Sequence, residues 1–182
     1  MGLPVEVCPG SIGNESDYFS QHGICRGLMK LARAKAESLP SAYNSRVILA
    51  ADTIVKTEHD IFEKPADADQ AHTMLRHLSG KTHEVITAVS LIQPSTGFCT
   101  TKKSVTQVTF RTITDEEILY YLHGDSFLDK AGGYGIQNLG AIFVKSLRGC
   151  YFNVVGLPVA TTIELLQDYN KYRVENEQGQ KQ

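Results

Sequence analysis

The sequence predicts an α/β fold, a mixed sheet flanked by helices. Segments with apolar residues at helical spacings of 3 and 4 alternate with short runs rich in Val, Ile and Thr. One such run stands alone between helical segments, whereas others come in pairs across turn sequences, so isolated strands and hairpins share the sheet. A chain of 182 residues, 42% hydrophobic and 21% charged, is of ordinary globular composition and is expected to form one domain, or at most one with a small lobe.

The elements follow in order. Residues 3–8 (LPVEVC) alternate weakly and read as a strand, and 9–17 (PGSIGNESD) read as a loop. From Tyr18 to Leu39 one helix is expected: Ile24, Leu28 and Leu31 share a face, Lys35 continues their line, and Pro40 stops the helix. Val47 to Ala51 is a continuous apolar run, expected as a strand buried on both faces that ends at Asp52-Thr53. Residues 66–78 predict a helix with Ala71, Met74, Leu75 and Leu78 inward, closed by Ser79-Gly80. Residues 82–93 and 98–111 predict a hairpin turning at Pro94-Ser95-Thr96-Gly97. Thr114 caps the next helix, with Glu117 reaching back in a capping box. Residues 129–140 form a Gly-rich loop, and 141–155 predict a second hairpin turning at Leu147-Arg148-Gly149. Pro158 opens a last helix that runs to about Tyr169. The domain thus covers 1–170, and the polar tail 171–182 is expected to be disordered.

Several function classes are disfavoured. Lys and Arg number 18 against 20 Asp and Glu, a net charge of −2, which argues against binding a nucleic-acid polymer. No apolar run is long enough to span a membrane, and the N-terminus lacks a secretory signal, so a cytoplasmic location is expected. Cys8, Cys25, Cys99 and Cys150 are far apart and read as free thiols. The six histidines show no HExxH spacing, and no G-x-S-x-G elbow is present.

The residues that could carry chemistry lie elsewhere. Asp52, following a buried strand, stands where open sheets bind ligands; it suits binding a divalent metal or deprotonating water, or else serves as a turn residue. Lys64, held extended by Pro65, suits a phosphate, or is a solvated loop lysine. Lys35, on an apolar helix line, either snorkels or points its charge into a cleft. The loop Asp129-Lys130-Ala131-Gly132-Gly133-Tyr134-Gly135-Ile136-Gln137 combines a candidate metal carboxylate in Asp129, a candidate phosphate contact in Lys130, and an amide in Gln137 that suits a base edge. A tight structural turn is the alternative for that loop.

Five segments in a fixed order resemble the Maf family: A-A-D-T-I-V at 50–55, E-K-P at 63–65, L-S-G-K-T-H-E-V-I-T-A-V at 78–89, D-K-A-G-G-Y-G-I-Q at 129–137 and N-V-V-G-L-P at 153–158. The resemblance runs from about Leu3 to Tyr169. It implies a fold similar to that of the inosine triphosphate pyrophosphatases. It also implies a nucleoside triphosphate pyrophosphatase that cleaves between the α- and β-phosphates with a divalent metal, Mg or Mn, and a homodimer. Asp52 matches the family's general base, and Lys35 and Lys64 match positions near the phosphates. Thr53 and Gln137 match positions associated with selectivity, and this pair resembles the branch that takes dTTP, UTP and modified uridine triphosphates. A metal held by Asp52, with Asp129 or Glu15, is the corresponding expectation.

The chain departs from the family at its start. Members begin with a strand and an S-x-S-P-R-R loop that grips the triphosphate; here that first strand and loop are missing, and Met1 to Cys25 contains no Lys or Arg. Where members carry a run such as S-D-I-D-E, this chain has Ser11-Ile12-Gly13-Asn14-Glu15. The expectation is a shortened gene model or isoform of an active enzyme. The alternative is a catalytically impaired nucleotide-binding or regulatory protein, because an arginine clamp supplies much of the charge stabilisation on a phosphoryl group.

Overall fold

The computed structural model describes residues 4–10, 12–13, 15–124 and 126–179. Helices α1 (Ser16–His22), α2 (Ile24–Glu37), α3 (Ala68–Leu78), α4 (Asp115–Gly124), α5 (Tyr151–Val155) and α6 (Val159–Gly179) accompany strands β1 (Ile48–Lys56), β2 (Ile61–Phe62), β3 (Thr82–Gln93), β4 (Phe98–Phe110) and β5 (Val144–Arg148). The strands form one sheet in the order β2-β1-β3-β4-β5. The expected α/β architecture is therefore present. Its described pairs are antiparallel: β1 with β2, and β4 with β5, directly by register. The β3–β4 turn spans only four residues, which allows no parallel crossover. Along β1 and β3, Lys56 faces Glu84, Thr53 faces Thr87 and Ile48 packs with Ile92, so these two strands also run in opposite directions.

The chain divides into two compact units. The first comprises 1–51, 89–102 and 163–182, the second 52–88 and 103–162. In the first unit, α2 buries Gly27, Leu28, Leu31, Ala32 and Ala36, one helical face. Gly27 is required there, because a Cβ would meet the Tyr18 carbonyl oxygen at 2.5 Å where α1 crosses. The single helix expected over 18–39 is two helices, since Gly23 takes φ 72° and breaks the run. Residues 4–8 form no strand. Val5 and Val7 lie exposed, while Glu6 accepts from the Tyr43 hydroxyl at 2.8 Å and from the Cys8 thiol.

The last helix passes its expected end at Tyr169 and continues to Gly179. Tyr172 explains the extension: its hydroxyl donates to the Thr96 carbonyl at 2.6 Å, and its ring packs on Phe98. Tyr169 likewise packs on Phe98 and donates to Gln93.

The second unit is built on a core of Val55, Leu75, Leu78, Val85, Val108, Phe110, Ile113, Ile118, Tyr121, Tyr134 and Phe143. Asp67 caps α3 by accepting from the Gln70 N–H, and Gly80 at φ 71° turns the chain after it, close to the expected boundaries. The β3–β4 hairpin turns where expected, with Gly97 left-handed. The hairpin expected over 141–155 is absent. Val144–Arg148 pairs with β4 instead, and after Gly149 the chain coils into α5, because Cys150 and Asn153 are bound by Thr106 of β4.

The capping box is present: the Thr114 N–H donates to Glu117 and the Glu117 N–H to the Thr114 hydroxyl. Arg111 adds a bidentate pair to Glu117, at 2.8 and 3.0 Å, and with the Thr114 N–H holds that carboxyl down to about 2. Replacing Thr114 with Ala should cost about 1 kcal/mol, read as a lower urea midpoint at unchanged m-value.

His83 is buried, its Nε2 2.7 Å from the Tyr134 hydroxyl and its ring edge-on to Phe110. Burial disfavours the charged ring and lowers its pKa from 6.5 to about 4. The unfolded chain therefore takes up this proton first. The contribution of neutral His83 is complete above about 6.5 and is lost as pH falls toward about 4. Unfolding free energy should decline through that window, and His83→Gln should flatten the decline.

Candidate functional site

β1 carries the first two candidates. Asp52 and Thr53 are half-buried and lie within the strand, not at its end. The polar pair interrupts the apolar run without ending the strand, because Thr53, Ile54 and Val55 are all β-branched and the last two enter the core. Nor is the strand buried on both faces, since Leu49 is exposed.

The Thr53 hydroxyl sits 2.9 Å from that of Thr87 on β3. Thr87 donates to the Asn153 carbonyl at 2.9 Å. The Asn153 side-chain amide donates to the Val85 carbonyl and to the Thr106 hydroxyl, each at 2.9 Å. Thr106 in turn donates to the Cys150 carbonyl and accepts from the Cys150 N–H. Asn153 is fully buried, and its Oδ1 has no hydrogen-bond partner among the described residues. This network was not legible in the sequence. Its only signal is an asparagine within an otherwise apolar stretch, Asn153-Val154-Val155.

The Gly-rich loop meets β1 and the Lys64 loop in the same unit. Gly132 donates its N–H to the Glu63 carbonyl at 3.0 Å. A Cβ on Gly132 would lie 3.0–3.3 Å from three side-chain atoms of Val55, and one on Gly133 would meet Ala71. Both glycines have positive φ, 71° and 73°. The glycines thus serve close packing of the loop onto β1 and α3. Pro65 is buried while Lys64 is exposed, so the proline anchors the loop that presents the lysine.

Asp129 is exposed and lies 2.6 Å from the Lys130 ammonium, and it also accepts from the Ser126 hydroxyl. The lysine, chiefly, holds the Asp129 carboxyl below its ordinary range. Gln137 is exposed at the end of the loop, next to buried Ile136. Lys35 and Glu15 belong to the other unit and pair with each other at 2.8 Å, the lysine side chain only 19% exposed. Lys35 therefore neither snorkels freely nor stands unpaired. Ser11 and Asn14 of the segment around Glu15 lie outside the described residues.

Among the described residues, no three His, Cys, Asp or Glu side chains stand together to hold an ion. Asp52 and Asp129 belong to the second unit and Glu15 to the first. As hard oxygen donors they fit Mg²⁺ or Mn²⁺ of the kind that takes one or two carboxylates and fills its shell with water and substrate phosphate. They do not form a cage made by protein alone. A separate polar depression lined by Lys56, Thr57, Glu58, Thr82, His83, Glu84 and Gln107 contains none of the candidate residues. All four cysteines are free thiols, and no helix among the described residues is long and apolar enough to cross a membrane.

The sequence profile of the family described as Maf-like protein matches residues 1–169. The chain is 44% identical over 166 residues to a dTTP/UTP pyrophosphatase of Syntrophomonas wolfei subsp. wolfei, covering 91% of this chain and 87% of that protein. It is 44% identical over 162 residues to a dTTP/UTP pyrophosphatase of Escherichia coli K12, covering 88% and 81%. A dTTP/UTP pyrophosphatase of Carboxydothermus hydrogenoformans is 45% identical over 141 residues, 78% of this chain and 76% of that protein.

Replacing Gly132 with Ala combines an unfavourable positive φ with overlap on Val55. The variant should lose about 1–3 kcal/mol of stability, measured by urea unfolding monitored by far-UV circular dichroism.

Proposed function

The chain belongs to the Maf-like protein family, and from that premise we propose that it hydrolyses dTTP and UTP, and modified uridine triphosphates, to the monophosphate and pyrophosphate. The observation that carries the reading is identity of 44% over about nine-tenths of the chain to a dTTP/UTP pyrophosphatase. Thr53 shares a face of β1 with Val55, and Val55 packs against the Gly-rich loop that ends at Gln137, which supports assigning Thr53 and Gln137 to one ligand.

In this reading water attacks the α-phosphorus, the bond from that phosphorus to the α–β bridging oxygen breaks, and pyrophosphate leaves. Asp52 takes the proton from the attacking water. A strand residue suits this work, since its backbone is held on both sides and its carboxylate need not be reorganised. Mg²⁺ or Mn²⁺ accompanying the triphosphate would neutralise phosphate charge, with Asp52 as its first protein ligand and Asp129 and Glu15 as the further candidates. Lys64 and Lys130 hold phosphate oxygens. Lys130 exchanges Asp129 for phosphate at little cost, because an exposed ion pair is weak. Lys35 is assigned to phosphate on its family position, and Thr53 and Gln137 to the pyrimidine. A cytoplasmic, reducing compartment suits the four free thiols, and a homodimer is the assembly we assign.

The second reading is a nucleotide-binding protein with impaired turnover. Pyrophosphate release from dTTP and UTP with Mg²⁺ or Mn²⁺ separates the two. The enzyme reading expects turnover by the chain as it stands, and a loss in kcat of about 10²–10⁴ in Asp52→Asn. Binding of nucleotide without any pyrophosphate would favour the second reading, and equal rates in Asp52→Asn would remove that residue from its role.

A further inference from the structure

The hydroxyl network behind Thr53 has a direction. A threonine hydroxyl has one proton and two lone pairs. Thr87 is fully buried and directs its proton to the Asn153 carbonyl at 2.9 Å. It therefore has no proton for Thr53, and in the 2.9 Å contact between the two hydroxyls Thr53 is the donor. The reverse arrangement would keep one inward hydrogen bond where this one keeps two. The far end cannot shift either. The Asn153 carbonyl also accepts from the Gly156 N–H, and the Asn153 amide is oriented by donating to Val85 and Thr106.

Thr53 consequently offers a ligand lone pairs only. Resting on the reading that Thr53 contacts the base, we propose that Thr87 is a positioning residue for base selection: it fixes the Thr53 hydroxyl as an acceptor, so the site takes a pyrimidine whose ring nitrogen carries a proton. Uracil and thymine have an N3–H. Cytosine presents a lone pair at the same atom, and two facing lone pairs repel. Selectivity at this point is thus set one residue behind the one that touches the base, by a buried threonine on the neighbouring strand.

Replacing Thr87 with Val keeps the branched shape and removes the inward acceptor. The Thr53 proton is then free to turn outward and donate to the cytosine ring nitrogen. Thr87→Ser keeps the hydroxyl and should keep the selectivity. The test compares kcat/KM for UTP and CTP, and dissociation constants for UMP and CMP by calorimetry, in the full chain and both variants. Thr87→Val should lower the uridine-to-cytidine preference about tenfold in both ratios, with Thr87→Ser within twofold of the parent. Thr87→Ala, which leaves space in place of strain, carries the same expectation if the Val variant does not fold. An unchanged ratio accompanied only by a lower melting temperature overturns the proposal, as does a parent chain with no preference for UMP over CMP. A parent that prefers UMP yet releases no pyrophosphate overturns the pyrophosphatase reading instead, and the dissociation constants still decide the role of Thr87.

Discussion

A fully buried asparagine must satisfy its polar atoms inside the protein, and in this fold that requirement organises the unit around Asp52. The carboxamide of Asn153 binds β3 through the Val85 carbonyl and β4 through Thr106, while its main-chain carbonyl accepts from Thr87 and Gly156. Through Thr87 the network reaches Thr53 on β1, next to the carboxylate assigned to catalysis. Three strands and the short helix α5 are thereby held in one register by groups that have no water to fall back on. A buried polar group left unpaired costs about 1–3 kcal/mol, so each member of the network depends on the others. Asn153 Oδ1 stays buried without a partner among the described residues.

The loops attached to this frame are positioned by packing more than by charge. Gly132 presses on Val55, Gly133 on Ala71, and the Gly132 N–H holds the Glu63 carbonyl, which sets Lys64 beside the Gly-rich segment. The glycines look like an anion-binding loop in the sequence, yet at 132 and 133 their immediate work is to let the backbone approach a strand and a helix. The charged groups are paired locally. Lys130 pairs with Asp129 in an exposed pair, and Lys35, itself mostly covered, pairs with a Glu15 side chain that is 42% exposed.

Where local chemistry decides, the sequence and the structure agree. The capping box at Thr114 and Glu117, the turn at Gly97, the stop at Ser79-Gly80 and the inward face of α3 all depend on residues within a few positions of one another. The disagreements have a common cause. Gly23 could not be recognised as a break because the apolar spacing on either side reads as one helix. Asp52-Thr53 reads as a strand end because two polar residues follow an apolar run. The stretch after Arg148 looked like a returning strand, but its hydrogen bonds go to Thr106, over 40 positions away.

The residue types themselves carry the family resemblance. A carboxylate beside a threonine, lysines near proline and glycine, and a terminal glutamine, in that order, were enough to resemble the Maf family and to name Asp52, Thr53, Lys64, Lys130 and Gln137. Only the tertiary structure decided that Asp52 is held within a strand, that Glu15 and Asp129 each face a lysine, and that the Thr53 hydroxyl meets that of Thr87. The reason is that a one-dimensional pattern encodes which donors and acceptors exist. Which of them are already matched depends on contacts between residues 34 to 68 positions apart, such as Thr53 with Thr87 and Val85 with Asn153.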